Sequence, residues 1–486
     1  MQPYAIIICL LCYFAALMAV SYYTGAKDNN EGFFLANRRS PWYLIAFGMI
    51  GSSMSGVTFI SVPGWVKETG FSYFQVALGY IIGYWVIAWV LLPVYYRLQL
   101  TSIYTYLDMR FGKKGYKTGA VFFLISRILG ASFRLYVAVD VLQLCIFNQL
   151  HLPFIFSAMV LICLIWLYTR RGGMKTIVWT DALQTLFLLA ALAGSIILIS
   201  HALPNNFPDS VKSVIQGQYS RVFNWDVNSK YYFFKQFLSG IFIAIAMTGL
   251  DQDMMQKNLT CKTLSESQKN IISFSIVQAV VVLFFLILGV LLYNFAEYKH
   301  IPLPAKSDDL YPILATGGYL GATVAFLFIM GLTAASFASS DSALTALTTS
   351  FCMDILNFAH RKREQQVKLR KWVHLNMAVV LALVIILYNL INNPVIINAV
   401  FTVAGYTYGP LLGLYGFGLL TKIKANDSWV PYICIASPLL CFIADLKSET
   451  WMHGYHFGFE LLILNAFITF TGLLMSAFTE SRKVSS

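Results

Sequence analysis

Apolar stretches, each long enough to cross a hydrocarbon core of about 30 Å as an α-helix, recur along the whole chain. Short polar joints separate them. Thirteen such spans are predicted, beginning near residues 4, 42, 72, 117, 153, 178, 235, 271, 318, 372, 394, 428 and 457. The pattern therefore predicts an all-α integral membrane protein with thirteen transmembrane helices.

Glycine and hydroxyl residues interrupt two of these spans, the second and the seventh. The second contains Gly48, Gly51 and Gly56 among serines, and the seventh contains Gly240 and Gly249. Backbone groups freed at matching places in two repeats are typical of secondary transporters, although such glycines also allow close helix packing. Because five spans separate the two interruptions, the halves are expected to be inverted repeats. The predicted divisions are an N-terminal helix at 4–25, a first repeat at 41–202, a second repeat at 235–420 and two C-terminal helices within 428–478.

Composition and charge agree with this architecture, since 58% of the 486 residues are hydrophobic and only 12% are charged. Most of the 34 Lys and Arg fall in the alternate joints that a topology with an external N-terminus places in the cytoplasm. The first span has no basic residue ahead of it, so it is predicted to be a retained helix rather than a signal peptide. We therefore expect a multi-pass plasma membrane protein, or an inner membrane protein if bacterial, with a cytoplasmic C-terminus. Neither nucleic-acid binding nor an obligate protein partner is indicated.

The ninth span carries a polar cluster, FASSDSALTALTT at residues 337–349, with Asp341 near its centre. A charge at mid-membrane depth costs roughly 2.5–3.5 kcal/mol on insertion scales, and buried hydroxyls need partners. On a helix Asp341, Thr345 and Thr348 share one face, and Asp181 and Thr185 form a similar pair in the sixth span. The cluster therefore predicts a bound small cation. The alternative is an aspartate that pairs with a basic residue at the cytoplasmic end of the span.

Two arginines, Arg127 and Arg134, lie inside the fourth span on one helix face. A guanidinium in the membrane is costly unless it is paired with an anion, so the pair suggests an acidic solute. In the alternative interpretation Arg134 pairs with Asp140, and Arg127 extends toward water from near the cytoplasmic end of its span.

Several stretches resemble the sodium/solute symporter family, which includes the sodium-coupled sugar, proline, monocarboxylate and sialic acid carriers. They are FFLANRR, LTSIYTYLDMRFG, GGMKTIVWTDALQ, LDQDMMQKNLTCKTLSES and GYTYGPLLGLYGFGLLTK. The resemblance spans nearly the whole chain. It implies the five-plus-five inverted repeat of the LeuT type, with one extra N-terminal and two extra C-terminal helices. It also implies sodium-coupled import of a small polar organic solute by alternating access. The arginines favour an acidic solute such as sialic acid or a monocarboxylate.

The resemblance places a first sodium ion between the interruption in the second span and the ninth span. By motif match its ligands are the following residues: Gly51, Met54, Ala335, Ala338 and Ser339. Carbonyl and hydroxyl oxygens suit a hard cation such as sodium. Many members carry two adjacent serines at the positions of Ala338 and Ser339, so the alanine in this chain is a departure that puts one ligand in doubt.

Some members hold a second sodium ion closer to the cytoplasm, at the aspartate of the WTD motif and hydroxyls of the ninth span. These positions align with Asp181 and with Ala338, Asp341 and Ser342. Two neighbouring carboxylates repel each other unless a cation or a proton compensates them. Asp181, Asp341 and Ser342 are therefore a candidate second cation site, for sodium or for a proton. The number of coupled ions, one or two, stays open.

The solute is expected near the bilayer midplane, against the interrupted helices. Candidate contacts are Ser53, Ser55, Thr58, Gln75 and Phe242. Arg127 matches the position of an arginine that binds carboxylate in sialic acid carriers, although the glutamine that accompanies it there aligns with Ala77 in this chain.

Other classes of function find less support in the sequence. No HExxH, GxSxG or CxxC motif occurs in a polar context, and Asp251 and Asp253, beside Lys257, are interpreted as capping or gating residues. We therefore expect no enzymatic activity, and no cofactor besides sodium. A proton-coupled carrier of the same fold and a symporter of neutral sugars or amino acids are the alternatives.

Overall fold

The structure is a computed structural model. It describes residues 3–25, 29–204, 229–356, 361–391, 405–451 and 457–484, together with 217, 219–227, 358 and 455. The main helices before residue 205 are α1 Pro3–Thr24, α2 Trp42–Ser53, α3 Gly56–Thr69, α4 Tyr73–Val86, α5 Lys113–Leu142, α6 Phe154–Thr169 and α7 Met174–Ala202. Those after it are α8 Phe233–Ala244, α9 Gln252–Asn258, α10 Leu264–Tyr298, α11 Gly321–Ser350, α12 Arg363–Ile391, α13 Tyr408–Leu420, α14 Val430–Trp451 and α15 Leu461–Val484.

Shorter helices fill several joints, and π-helical turns continue four of the long helices. The short helices are Asn30–Leu35, Leu92–Arg97, Thr105–Arg110 and Leu310–Thr316. The π turns are Ile87–Leu91 after α4, Gln143–Phe147 after α5, Ile245–Gly249 after α8 and Phe351–Ile355 after α11.

Within the described part of the chain, 8 helices are long and apolar enough to cross a membrane, or up to 10 if each of two bent pairs is one span. Three shorter apolar helices accompany them, Phe154–Thr169, Tyr408–Leu420 and Leu461–Ala477. The start of the span predicted near residue 394 lies outside the described residues. The all-helical membrane architecture is confirmed, and the number of thirteen helices stays a prediction.

Both interrupted spans are bent where the sequence predicts. The axes of α2 and α3 differ by 63°, and the helix Phe233–Gly249 differs from α9 by 73°. At the first bend Met54 leaves helical geometry with φ −85° and ψ 83°, and the Ser55 side chain caps α3 by accepting from the Thr58 amide. At the second bend Asp251 caps α9, accepting from the Asp253 amide at 2.8 Å. The predicted capping role of Asp251 is therefore confirmed.

Glycines bring the helices around these bends into backbone contact. A Cβ added at Gly48 would lie 2.9 Å from the Cβ of Asp181, and one at Gly51 would lie 2.5 Å from Oγ1 of Thr185, so α2 packs tightly against α7. Gly240 of α8 lies against the Cα of Gly79 in α4. Close helix packing, the alternative explanation for the glycines, therefore applies to Gly240 and contributes at Gly48 and Gly51.

Candidate functional site

A cavity of about 440 Å³ opens beside the bend between α2 and α3. Residues 52–55 and Thr58 line one side of it, and Arg127 and Arg134 of α5 line another. Aromatic and apolar side chains form much of the remaining wall: Trp65, Tyr73, Tyr80, Tyr84, Met247 and Phe459. A cavity of this size with few polar groups is typical of a small-molecule binding site.

The bend frees two backbone carbonyls from the helical hydrogen-bond ladder. A continuing helix would join the Ser55 amide to the Gly51 carbonyl, but this amide donates to the Ser53 carbonyl at 3.2 Å. Likewise the Thr58 amide donates to Oγ of Ser55 at 3.4 Å instead of to the Met54 carbonyl. The carbonyls of Gly51 and Met54 are thus left without these partners, as a cation site at the bend requires.

The facing side of the bend is formed by α11, which contacts both α2 and α3. A Cβ added at Gly56 would overlap Oγ of Ser336, so the start of α3 abuts α11 one turn before Ser339. Ser339 is buried with Ala335 and Ala338, and its Oγ donates to the Ser336 carbonyl at 3.0 Å. The residues expected to hold the first sodium ion therefore lie on adjoining helices.

Asp181 of α7 forms a buried ion pair with Lys257 of α9. Nζ of Lys257 lies 2.6 Å from Oδ2 of Asp181, and each side chain is only 2% exposed. Oδ1 of Asp181 has no hydrogen-bond partner among the described residues. From the sequence, Lys257 is considered only as a neighbour of Asp251 and Asp253. The structure therefore adds Lys257 to the candidate second cation site.

Asp341 of α11 is fully buried and lies near enough to Asp181 and Lys257 to interact electrostatically with both. Its Oδ2 accepts a hydrogen bond from the Tyr168 hydroxyl of α6 at 2.8 Å, and its Oδ1 has no partner within the described ranges. Oγ of Ser342 donates to the Ala338 carbonyl at 3.0 Å. Two carboxylates and one ammonium therefore share a buried site, and no salt bridge joins Asp341 to a basic residue in the described structure.

Arg127 lines the cavity and lies in a second buried charge cluster. Its guanidinium pairs with Asp253, and Nη1 lies 3.6 Å from Oδ2 of Asp251. Oδ2 of Asp251 also accepts from the Tyr408 hydroxyl at 2.6 Å. The side chain of Arg127 is 6% exposed, so it does not extend toward water, and its charge is already compensated by protein carboxylates.

Arg134 behaves differently from Arg127. It lines the cavity and is partly exposed to it. Within the described structure no ion pair or hydrogen bond involves its guanidinium, and Asp140 is not its partner. The alternative interpretation that pairs these two residues is therefore not supported.

The remaining candidate solute contacts divide into two groups. Ser53, Ser55 and Thr58 line the cavity; Oγ of Ser53 accepts from Nε2 of Gln278 at 2.8 Å. Gln75 does not line it, because its side chain donates to the carbonyls of Ser72 and Tyr231 and accepts from the Asn224 amide.

Phe242 does not line the cavity either, because its ring packs against the hydrophobic core. The structure therefore corrects the expectation that Gln75 and Phe242 form the walls of the cavity.

Sequence reasoning missed three partners: Lys257 for Asp181, Tyr168 for Asp341, and the Asp251 and Asp253 pair for Arg127. Each partner is far away in the chain, so no local spacing identifies it. The available signal was the number of charges inside apolar spans, because a buried carboxylate or guanidinium is costly without a counter-charge.

A model of the sodium:solute symporter family matches residues 33–426. The chain is 26% identical over 468 residues to the sodium/sialic acid symporter NanT of Aliivibrio fischeri, covering 92% of this chain and 87% of that one. It is 26% identical over 466 residues to the human sodium-coupled monocarboxylate transporter 1, covering 90% and 72% of the two chains. The human sodium/iodide cotransporter is 26% identical over 417 residues, which cover 81% of this chain and 62% of that protein.

Two solved structures share the fold. A sodium-coupled sialic acid symporter in a substrate-bound outward-open state superposes with a TM-score of 0.83 at 20% identity, covering 98% of both chains. A transporter of the nucleobase-cation-symport-1 family in a closed conformation superposes with a TM-score of 0.56 at 13% identity, covering 91% and 94% of the two chains. The LeuT-type fold expected from the sequence is confirmed.

Proposed function

Because this chain belongs to the sodium:solute symporter family, we propose that it is a sodium-coupled symporter that imports a small polar organic solute by alternating access. The observation that carries the proposal is the bend between α2 and α3, where freed carbonyls and a cavity lie side by side. Ion and solute would then bind to the same broken helix, which gives a physical route for coupling their free energies. Sodium coupling is supported by the relatives, which are named as sodium symporters, cotransporters or sodium-coupled transporters.

The first sodium ion is proposed to bind between α2 and α11. The carbonyls of Gly51 and Met54 supply oxygens from the bend, and Ala335, Ala338 and Ser339 face them from α11. Oγ of Ser339 donates its hydrogen to Ser336, which leaves its lone pairs for a cation. The oxygen donors fit sodium, which prefers hard ligands.

A second cation is proposed at Asp181 and Asp341. The one ammonium of Lys257 balances only one of the two carboxylates, so a single monovalent cation or a proton would neutralise the cluster. Ser342 supports the site in the same way as Ser339, because its hydroxyl hydrogen is taken by the Ala338 carbonyl. Each sodium ion that crosses 100 mV with the solute adds about 2.3 kcal/mol of driving force.

Solute transport requires no covalent chemistry, so the proposal includes no enzymatic activity. The serines and threonine at the bend, Ser53, Ser55 and Thr58, are proposed as polar solute contacts. We also propose that residues 41–202 and 235–420 are the two inverted repeats, and that the N-terminus lies outside the cell and the C-terminus inside. We propose no obligate protein partner.

The test is uptake into proteoliposomes that contain the purified protein, with radiolabelled candidate solutes and an inward sodium gradient. We expect uptake to stop when external sodium is replaced by N-methylglucamine. Uptake that persists without sodium and rises with external acidity would overturn sodium coupling in favour of proton coupling.

A matched pair of serine variants tests the first sodium site. Ser339→Ala is expected to raise the sodium concentration for half-maximal uptake roughly five- to ten-fold, because it removes one ligand. Ser275→Ala is the control, since that buried hydroxyl donates to the Ile272 carbonyl within α10. Equal sodium dependence in the two variants would remove Ser339 from the site.

A further inference from the structure

Arg134 holds the one cavity-lining guanidinium, among the described residues, that has no carboxylate partner. It lies in the C-terminal half of α5, a helix long and apolar enough to span the membrane. A cationic side chain in such a position is rare unless an anion compensates it or it serves a site. Two carboxylates lie within ion-pair distance of Arg127, whereas Asp251 attracts Arg134 only from a longer distance and no described carboxylate pairs with it.

The two arginines that line the cavity therefore differ in the charges that contact them. Arg127 contacts Asp251 and Asp253, so this ionised cluster carries two negative charges for one positive. An anionic solute would be repelled there and attracted to the unpaired guanidinium of Arg134. This arrangement shifts the expected anion contact from Arg127, which the sequence favours, to the arginine two turns along the same helix.

The other residues that line the cavity indicate what accompanies the anionic group. Tyr73, Tyr80, Tyr84 and Trp65 present aromatic surface to the cavity, and Ser53 and Thr58 present hydroxyls. A planar carboxylate matches the fork of a guanidinium with two parallel hydrogen bonds, whereas the apolar walls fit a compact carbon skeleton. The cavity volume of about 440 Å³ limits the size of that carbon skeleton.

We propose that Arg134 is the anion receptor of the cavity and determines specificity for a small carboxylate solute. The inference rests on the proposed function and names the class of solute that the symporter carries. It assigns Arg127 to holding α5 against the bend between α8 and α9, rather than to solute binding.

The experiment measures the thermal stabilisation of the purified protein in sodium-containing detergent solution. The probes are benzoate, pyruvate and N-acetylneuraminate, and their neutral counterparts are benzamide, pyruvamide and the methyl ester of N-acetylneuraminate. We expect at least one carboxylate to raise the unfolding temperature while its neutral counterpart does not. Equal stabilisation by both members of every pair, or by no carboxylate at all, would overturn the proposal.

Variants of Arg134 assign the effect to this residue. Arg134→Gln is expected to weaken carboxylate binding about 10- to 150-fold, the range for loss of a charge-assisted hydrogen bond, and to keep the stabilisation by sodium. Arg134→Lys keeps the charge but not the fork, so we expect an intermediate loss. Lys113→Gln removes a positive charge from the exposed start of the same helix and serves as the charge control.

Carboxylate binding that is unchanged in Arg134→Gln would overturn the proposal. If Arg134→Gln does not fold, wild-type affinity in Arg134→Lys would do the same. Failure of the proposed function is a separate result: the wild-type protein would then show no sodium-dependent stabilisation or uptake. Sodium stabilisation without a carboxylate effect would leave symport standing and remove only Arg134 as the receptor.

Discussion

Replacement of Lys257 by Met removes the only ammonium that the described structure pairs with Asp181. The pair is short, with 2.6 Å between Nζ and Oδ2, and both side chains are 2% exposed. Breaking a buried ion pair by removing one partner costs about 3–5 kcal/mol, because the other charge is left uncompensated. Asp341 adds a second carboxylate nearby, so we expect the variant to lose at least this much unfolding free energy in sodium-free solution.

Sodium is expected to recover part of the loss. At a concentration one hundred times its dissociation constant, a ligand that binds only the folded state raises the free energy of unfolding by about 2.7 kcal/mol. The wild-type protein gains less from the second site, because Lys257 already neutralises one carboxylate. The Hill slope for sodium in uptake should therefore be at least as steep in Lys257→Met as in the wild type.

The assay is unfolding of the purified protein in mixed micelles, with and without sodium. The double variant Asp181→Asn with Lys257→Met removes both charges, and we expect it to be more stable than Lys257→Met alone. The coupling energy from this cycle measures the pair directly. The role assigned to Lys257 is refuted if Lys257→Met unfolds at the same point as the wild type. It is also refuted if the stability losses of the single variants Asp181→Asn and Lys257→Met add up to the loss of the double variant.

Three further predictions concern the contact between α2 and α7, the proposed second cation site and the joint between α10 and α11. Gly51→Ala is expected to destabilise the protein by roughly 1–3 kcal/mol, because the added Cβ meets Oγ1 of Thr185. In unfolding measurements, the double variant with Thr185→Ala should recover part of the lost stability. If it recovers none, the contact is contradicted. Asp341→Asn is expected to lower the sodium affinity of uptake, whereas an unchanged affinity and Hill slope would exclude Asp341 from an ion site. Burial raises the pKa of Asp308 and the nearby Asp309 raises it further, while a hydrogen bond from Ser61 lowers it. The stability that this carboxyl contributes is therefore present below its unfolded pKa of about 3.9 and lost as the pH rises through the folded pKa. The unfolding temperature of Asp308→Asn minus that of the wild type should therefore be larger at neutral pH than at pH 4. A difference that does not change with pH would contradict this prediction.

The sequence predicts the helices and their interruptions because these depend on local pattern. The apolar period marks the spans, and glycines and serines near Gly51 mark the bend that the structure contains. The burial of Asp341 also follows from its position in an apolar span. These features need no knowledge of distant residues.

The partners of the buried charges could not be predicted in the same way. Lys257 reaches Asp181 only because the bend before α9 turns that short helix toward α7. Arg127 and Arg134 share a helix face and both line the cavity, yet only Arg127 pairs with carboxylates. Helix periodicity predicts which residues share a face of a helix. It does not predict which other helix packs against each of those residues, because that depends on the whole fold.

The glycine contacts between α2 and α7 determine which helices can change position relative to each other. Gly48 and Gly51 leave no room for one methyl group, and interfaces packed this closely resist sliding. The two helices should therefore travel as one rigid body when the protein alternates between its inward-facing and outward-facing forms. Spin labels at the exposed Tyr43 of α2 and the exposed Leu186 of α7 would then keep a constant separation throughout the cycle, and this pair can serve as a fixed reference frame for measuring the motion of other helices.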